Sequence, residues 1–421
     1  MHKRLGDFIQ SKYFKSISQL TTGSFIAQII TLIVAPISTR LYTAEQLGVY
    51  TLILTLLTIF GPVICGKYDL AIVSAKDDKE VMELIWSSTI FSVLFLFFIS
   101  IFYRFYLTSY PEIIDEVGNF AYIVIFMLFI RAFTNILTSY NNRYKEYKTI
   151  SSVYVVRSLV QNIGLVLFGF LKFGAIGLLF SQLIGSLFGL RKQSKHLYKN
   201  ILGLKFVRIQ GIKNVVKKYR KQPIYSMPAH FLSSTSYSIL NLFISSLFGL
   251  STFGYYSMSY RILGLPLSLV SMNVSKVFFQ KATEEKSKYG NYYKAFKQIT
   301  LLLLSVSIPM VIILISFGPY VFELFFGEGW YIAGVYVQIL APMYGIRLIV
   351  SALTPALIVS GKQRLELIIQ SCFLSCSVLA YLICKLFTLD MSAFLSIISI
   401  SYSLIYIVYL IIIYKLSLAK N

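Results

Sequence analysis

The chain has 421 residues, 57% of them hydrophobic and 13% charged, with a formal net charge of +22. Soluble domains carry about 25% charged residues, so this composition leaves too little polar surface to coat a water-soluble body. The apolar residues come in blocks of about 20, enough for a helix rising about 1.5 Å per residue to cross roughly 30 Å of hydrocarbon.

The fold class that follows is an all-α polytopic membrane protein. Spans are predicted at 17–37, 46–66, 82–103, 118–139, 151–171 and 174–190, then at 223–247, 254–278, 298–317, 332–358, 366–385 and 391–414. The first contains Thr21, Thr22, Ser24, Gln28 and Thr31. It lacks the compact apolar run and small-residue cleavage site of a signal peptide, and reads as a retained helix. Barrel strands would instead alternate polar and apolar residues over short segments. Twelve spans divide into a six-helix lobe at 1–190, a basic connector at 191–222 and a second six-helix lobe at 223–421.

The connector holds 11 Lys/Arg and no acid. Within it Ile201, Leu204, Ile212, Val215 and Val216 recur near helical spacing, which predicts an amphipathic helix on the cytoplasmic leaflet, attracted to anionic membrane lipids. A solvated basic linker is the alternative. With the N-terminus placed in the cytoplasm, the cytoplasmic segments carry 30 Lys/Arg and the opposite side carries 4, namely Arg40, Arg104, Lys172 and Lys385. That bias follows the positive-inside rule, puts both termini in the cytoplasm and explains the net charge without a nucleic-acid partner.

The halves look duplicated. Gln46-Leu47-Gly48-Val49-Tyr50 opens span 2 and Thr252-Phe253-Gly254-Tyr255-Tyr256 opens span 8, with the glycines 206 residues apart. Six spans per half is an even number, so both halves enter the membrane in the same direction. The expectation is two parallel bundles with a cavity between them. A polar stripe marks the first span of each half: Thr21, Ser24, Gln28 and Thr31, then His230, Ser234, Tyr237, Ser238, Asn241 and Ser245. Spacings of three, four and seven put each set on one helix face, suited to lining a cavity or to gluing helices together. Pro36, Pro62, Pro228, Pro266, Pro309, Pro342 and Pro355 fall inside spans, where each removes a backbone hydrogen bond.

Four arginines, Arg131, Arg157, Arg261 and Arg347, sit well inside spans. Each costs about 2.5–3.5 kcal/mol on insertion scales if it faces lipid, and none can escape by losing its proton. Arg131 shares a face with Asn135, Arg157 stacks one turn below Gln161, and Arg347 shares a face with Tyr344, Ser351 and Thr354. None of the 17 acidic residues falls in the middle of a predicted span; Asp69 lies just past span 2 and Glu366 opens span 11. Cations without carboxylates around a cavity suit an anionic solute, because a guanidinium matches phosphate oxygens two at a time. Snorkelling or bonding to backbone carbonyls is the alternative. Cys65, Cys372, Cys376 and Cys384 read as apolar filler and the three histidines form no cluster, so no metal, cofactor or ATP site is expected.

Several segments carry a family resemblance. They are Pro36-Ile37-Ser38-Thr39-Arg40-Leu41-Tyr42-Thr43 with Gly48-Val49-Tyr50, Lys67-Tyr68-Asp69-Leu70-Ala71-Ile72-Val73, Tyr219-Arg220-Lys221-Gln222-Pro223, and Gly254-Tyr255-Tyr256-Ser257-Met258-Ser259-Tyr260-Arg261. In order and spacing, over nearly the whole chain, they resemble the polysaccharide transporter branch of the multidrug/oligosaccharidyl-lipid/polysaccharide (MOP) exporter superfamily, the O-antigen and capsule repeat-unit flippases. The resemblance implies twelve helices in two lobes around a cationic cavity, in a bacterial cytoplasmic membrane. It also implies translocation of undecaprenyl-pyrophosphate-linked oligosaccharide by alternating access, with a polysaccharide polymerase and a chain-length regulator as partners. The candidate substrate-binding residues are then Arg347, Arg131, Arg157, Arg261, Asn135, Gln28, Gln161 and Asn241. A multidrug exporter of the same superfamily is the nearest rival, weakened by the lack of embedded carboxylates. A membrane polymerase or ligase is the rival from another class, weakened by short outer loops and the absence of catalytic chemistry.

The orientation is directly testable. A single cysteine at Gly327 should be labelled by an impermeant maleimide on intact cells, and one at Ser287 should be labelled only after permeabilisation; the reverse pattern inverts the topology.

Overall fold

The structure is a computed structural model that describes residues 12–201 and 209–419. Leu204 of the connector's apolar series lies outside the described residues, as do the side chains of Thr21 and Tyr237 from the polar stripes. All regular elements described are helical. Among the described residues ten segments are long and apolar enough to cross a membrane, and Ala44–Phe60 is a shorter apolar helix. One of the ten, Ser238–Tyr289, is 52 residues long and is interrupted at Gly249, whose φ of 76° only glycine adopts readily. Counting that segment as two spans and adding the short helix gives the expected twelve.

The chain forms two compact units, Met1–Tyr42 with Val49–Ser234, and Thr43–Gly48 with Thr235–Asn421. The first unit takes in the basic connector and the first turns of the helix that follows it, through Ser234.

In the first unit α1 (Lys12–Leu41) runs along α7 (Tyr147–Phe170). The approach is close because Gly23 sits against Ser151. A polar seam joins the pair: Ser158 Oγ donates to the Ala27 carbonyl at 2.7 Å and Asn162 Nδ2 to Thr31 Oγ1 at 3.3 Å. Thr31 of the first polar stripe therefore glues two helices together. Next, α8 (Gly174–Leu187) packs on α7, with Gly185 against Gln161 and the Arg157 backbone.

The second span is broken. After α2 (Ala44–Phe60), residues 61–67 form turns before α3 (Tyr68–Ser74) resumes. Pro62 brings no amide hydrogen to the ladder, and Gly66 and Lys67 adopt left-handed φ values of 59° and 64°. The break is held by α6 (Ile123–Arg143), whose Asn135 Nδ2 donates to the Gly61 carbonyl at 2.9 Å. Arg143 Nη1 covers the last carbonyls beyond α3, reaching Ala75 O at 2.6 Å. Between these helices run α4 (Asp78–Ser109) and the short α5 (Pro111–Val117). Asp77 caps α4 by accepting from the Glu80 amide at 2.8 Å, while the Glu80 carboxylate accepts from the Lys76 amide at 2.6 Å.

The connector contributes α9 (Leu190–Ile201) and α10 (Ile209–Lys218). The expected amphipathic character is present, but α10 lies against α4 rather than wholly on lipid. Val215 is buried in the core around Tyr68, Ile72 and Leu84, and Lys218 donates to Glu80, which raises the Lys218 ammonium above the usual lysine value. Ile209 and Val216 stay exposed.

The second unit contains α11 (Met227–Pro266, its first turns counted with the first unit), a π-helical turn at Leu267–Ser271 and α12 (Met272–Tyr289). It continues with α13 (Tyr293–Phe326), α14 (Tyr331–Leu353), the single turn α15 (Ala356–Val359), α16 (Arg364–Phe387) and α17 (Met391–Leu418). Its centre is α14, which packs on α13 and α17. Small residues permit this: Gly334 lies on Gly318 and Pro319, and Ser307 Oγ donates to the Gly345 carbonyl at 2.9 Å. The repeat is visible in a reciprocal contact. A Cβ on Gly48 would collide with the Leu250 carbonyl, and one on Gly254 with the Ala44 carbonyl. Both partners are displaced by the same 206 residues that relate the glycines.

Two forces hold α10, and they differ in size. Burying a valine is worth about 1.5–3 kcal/mol, whereas an ion pair with an exposed lysine contributes little. Val215→Ala should therefore speed tryptic cleavage within 205–221 of the purified protein several-fold, and Lys218→Ala should change it little.

Candidate functional site

The deepest arginine, Arg347, sits midway along α14 and is half-buried. Its guanidinium lies 5.3 Å from the centre of the Tyr344 ring, one turn earlier on the same helix, and bonds the Tyr344 hydroxyl. Around it are three further tyrosines. Tyr256 and Tyr260, four residues apart on α11, stack with ring centres 6.2 Å apart. Tyr402 of α17 shares a 2.6 Å hydrogen bond with Ser377. All three lie within electrostatic reach of Tyr344 or Arg347. Tyr256, Tyr344 and Tyr402 are buried in this packing, so Arg347 and Tyr260, both half-buried, are the members a ligand can reach, the guanidinium by charge and the phenol by hydrogen bond or ring contact.

Elsewhere in this unit Arg261 follows Tyr260 on α11 and is half-buried, with partners of its own. Asn241, Ser238 and Ser245 of the second polar stripe are buried in the helix packing, and the neighbouring Ser236 donates to the Gln370 carbonyl at 3.2 Å.

In the first unit Arg131 is exposed and its side chain crosses Gly61 at the break in span 2; a Cβ there would lie 3.3 Å from Arg131 Cγ. Arg157 is within electrostatic range of Arg131 but is anchored at two points. Its Nε donates to the Phe188 carbonyl just past α8 and its Nη2 to Thr134 Oγ1, both at 3.1 Å. A cation on the carbonyl end of a helix is a favourable placement. Gln161 Nε2 donates to the Tyr50 hydroxyl at 3.2 Å, and that hydroxyl donates to Gln182 Oε1 at 3.1 Å. Gln28 is half-buried on α1 with partners of its own. Asn135 serves the Gly61 carbonyl rather than projecting freely.

The structure thus groups Arg347 with tyrosines in the second unit, and Arg131 with Arg157, Asn135 and Gln161 in the first. The sequence reading missed Tyr256, Tyr260 and Tyr402, although the four-residue spacing of the first two was present in a motif it singled out. It also missed the Tyr50–Gln182 link, whose partners are 132 residues apart.

A sequence model for a family described as polysaccharide biosynthesis protein matches residues 37–333. No curated protein matches the chain. Among solved structures, the lipid II flippase MurJ in an inward closed conformation aligns with a TM-score of 0.73 at 16% identity, covering 94% of this chain and 87% of that one. An inward-facing multidrug resistance MATE family transporter of the MOP superfamily aligns at 0.61 and 16%, covering 94% and 93%. A MOP superfamily transporter from Pyrococcus furiosus, described as having a binding pocket of reverse polarity, aligns at 0.63 and 16%, covering 95% of each chain. At such identities the likeness establishes the fold, which is the twelve-helix MOP fold.

The anchoring of Arg157 separates it from Arg131. Hydrogen bonds from a charged group are worth about 1.5–3 kcal/mol, so Arg157→Ala should lower the melting temperature of the purified protein clearly more than Arg131→Ala; equal shifts would place Arg157 with the unanchored cations.

Proposed function

The chain belongs to the polysaccharide biosynthesis protein family, and from that premise we propose that it is a flippase for lipid-linked oligosaccharides. The substrate is a repeat unit on undecaprenyl pyrophosphate, destined for O-antigen, capsule or another exopolysaccharide, and it crosses the bacterial cytoplasmic membrane by alternating access. The observation that carries this reading is Arg347 among Tyr256, Tyr260, Tyr344 and Tyr402. A pyrophosphate presents the oxygens that a guanidinium binds in pairs, and sugars present hydroxyls and apolar ring faces that the half-buried Tyr260 can contact, the buried tyrosines holding Arg347 in place. In the first unit Arg131, beside the broken second span, is an exposed cation of its own. Arg157, Gln161, Asn135 and Asn241 are spent mainly on fixing the helices of their own units, and Arg261 and Gln28 remain candidate contacts. Organic cations would be repelled by the same arginines, which weighs against a multidrug exporter. One structural neighbour is a lipid II flippase, and moving a lipid-linked substrate asks the chain for no bond-making residues. A polymerase and a chain-length regulator, acting on the delivered unit, fit as partners.

The test is delivery of lipid-linked repeat units to the outer leaflet of cells, normalised to folded protein. Loss of the chain should leave synthesis intact and trap the units on the cytoplasmic leaflet. A charge-assisted contact is worth about 1.5–3 kcal/mol, so Arg347→Ala should cut delivery roughly tenfold or more. Arg347→Lys should fall in between, because an ammonium cannot reproduce the planar fork. Normal delivery without the chain, or glycosidic bond formation by the purified protein, would overturn the proposal.

A further inference from the structure

The two connector helices use their cations differently. On α10, Lys218 is paired with Glu80 and Val215 is buried. On α9, one face docks against α6. Gln193 is buried there, and its carbonyl accepts from Asn141 Nδ2 at 2.9 Å. The His196 ring packs on Tyr140 and Tyr144, with ring centres 5.7 and 4.9 Å away. These contacts fix the rotation of α9 and leave Arg191, Lys192 and Lys195 exposed. The three have no acid on their own helix and form no ion pair among the described residues.

Arg191, Lys192 and Lys195 border a groove of about 360 Å³ whose remaining lining is Val153 and Val156 of α7 and Gly189. Gly189 makes the sharp turn from α8 into α9. Its φ is 91°, and a Cβ on it would lie 2.7 Å from Val153 Cγ1. Apart from the three cations, the lining holds no polar side chain. The groove also lies where a membrane span ends. α8 stays apolar up to Leu187, and Leu187, Phe188 and Val156 are exposed. Tyr198, one turn beyond Lys195, is exposed too, as tyrosines at the headgroup level are.

An apolar cleft with cations along one side matches a molecule that joins a phosphate to a hydrocarbon chain. A guanidinium takes phosphate oxygens in pairs, and lysines are attracted to an anionic leaflet. Free phosphate would leave the valines uncovered. A sugar would find no hydroxyl or amide in the lining to bond.

We propose that the groove between α7 and α9 binds one anionic phospholipid of the surrounding bilayer. Arg191, Lys192 and Lys195 hold its phosphate, and an acyl chain lies along Val153 and Val156. The charge bias of the loops assigns the site to the cytoplasmic leaflet, but the site depends neither on that orientation nor on the transport reading.

The test is native mass spectrometry of the purified full-length protein with equimolar phosphatidylglycerol and phosphatidylcholine of identical chains. The wild type should retain one phosphatidylglycerol in preference to phosphatidylcholine. Each cation near an anionic headgroup is worth roughly a fivefold change in affinity, so the triple variant Arg191→Gln/Lys192→Gln/Lys195→Gln should lose about tenfold or more. A second triple variant, Lys288→Gln/Lys362→Gln/Arg364→Gln, makes the same change of charge on exposed loops of the second unit and should bind like the wild type. Val156→Trp fills the groove without changing charge and should also lose the lipid. Melting temperatures in phosphatidylcholine should stay at the wild-type value; should the first triple variant not fold, Lys195→Gln alone should still weaken binding several-fold. Equal loss in both triple variants would mean diffuse attraction to the surface, and full retention in Val156→Trp would mean that no chain enters the groove; either result overturns the site. So would a wild type without preference for phosphatidylglycerol. Displacement of the lipid by inorganic phosphate, or by a small fraction of undecaprenyl pyrophosphate, would overturn it in favour of a free anion or of the carrier lipid.

Discussion

Hydrocarbon offers no hydrogen bonds, so every polar group carried into the bilayer has to be satisfied by the chain itself. Most of the structure is a response to that demand. Backbone polarity is consumed by helices, and where a helix is interrupted a side chain from a neighbour takes over. At the break in span 2, Asn135 serves the Gly61 carbonyl and Arg143 covers the carbonyls beyond α3. A broken helix can persist at such depth only because α6 brings these donors.

The same demand sorts the arginines. Arg157 spends its guanidinium on the Phe188 carbonyl and Thr134, which makes it part of the scaffold. Arg131 lies across Gly61 and remains exposed. Arg347 is supported by a tyrosine ring and hydroxyl that hold it in place without neutralising it. A cation so held keeps its charge for a ligand, which is why the proposed anion contact centres there. Asp69 shows the converse, a buried carboxyl with one oxygen that finds no hydrogen-bond partner among the described residues.

Spans, their number and the duplication were legible in the amino-acid sequence because hydropathy and a fixed offset are local or periodic signals. The reciprocal contact of Gly48 with Leu250 and Gly254 with Ala44 gives the 206-residue offset a physical meaning. Partners distant along the chain were not legible. Arg157 looked like a cavity cation because the carbonyl that anchors it belongs to a residue 31 positions later. Asp69 looked like a loop residue because nothing in hydropathy distinguishes a span that ends at Gly66 from one that turns and resumes at Tyr68. For the connector, Val215 carries the same apolar signal whether it meets lipid or the core of the first unit, and only the fold decides between them.

The proposed function is that of a chain that moves an anionic lipid-linked sugar without making or breaking its bonds. The most direct measurement uses purified protein reconstituted into vesicles with a fluorescent undecaprenyl-pyrophosphate oligosaccharide, reading the fraction of label that a membrane-impermeant quencher reaches over time. Flippase action predicts that label initially protected in the inner leaflet becomes accessible at a rate proportional to the amount of folded protein, with the substrate chemically unchanged. Label that stays protected at the rate of protein-free vesicles, or that emerges as a longer or transferred glycan, would contradict it.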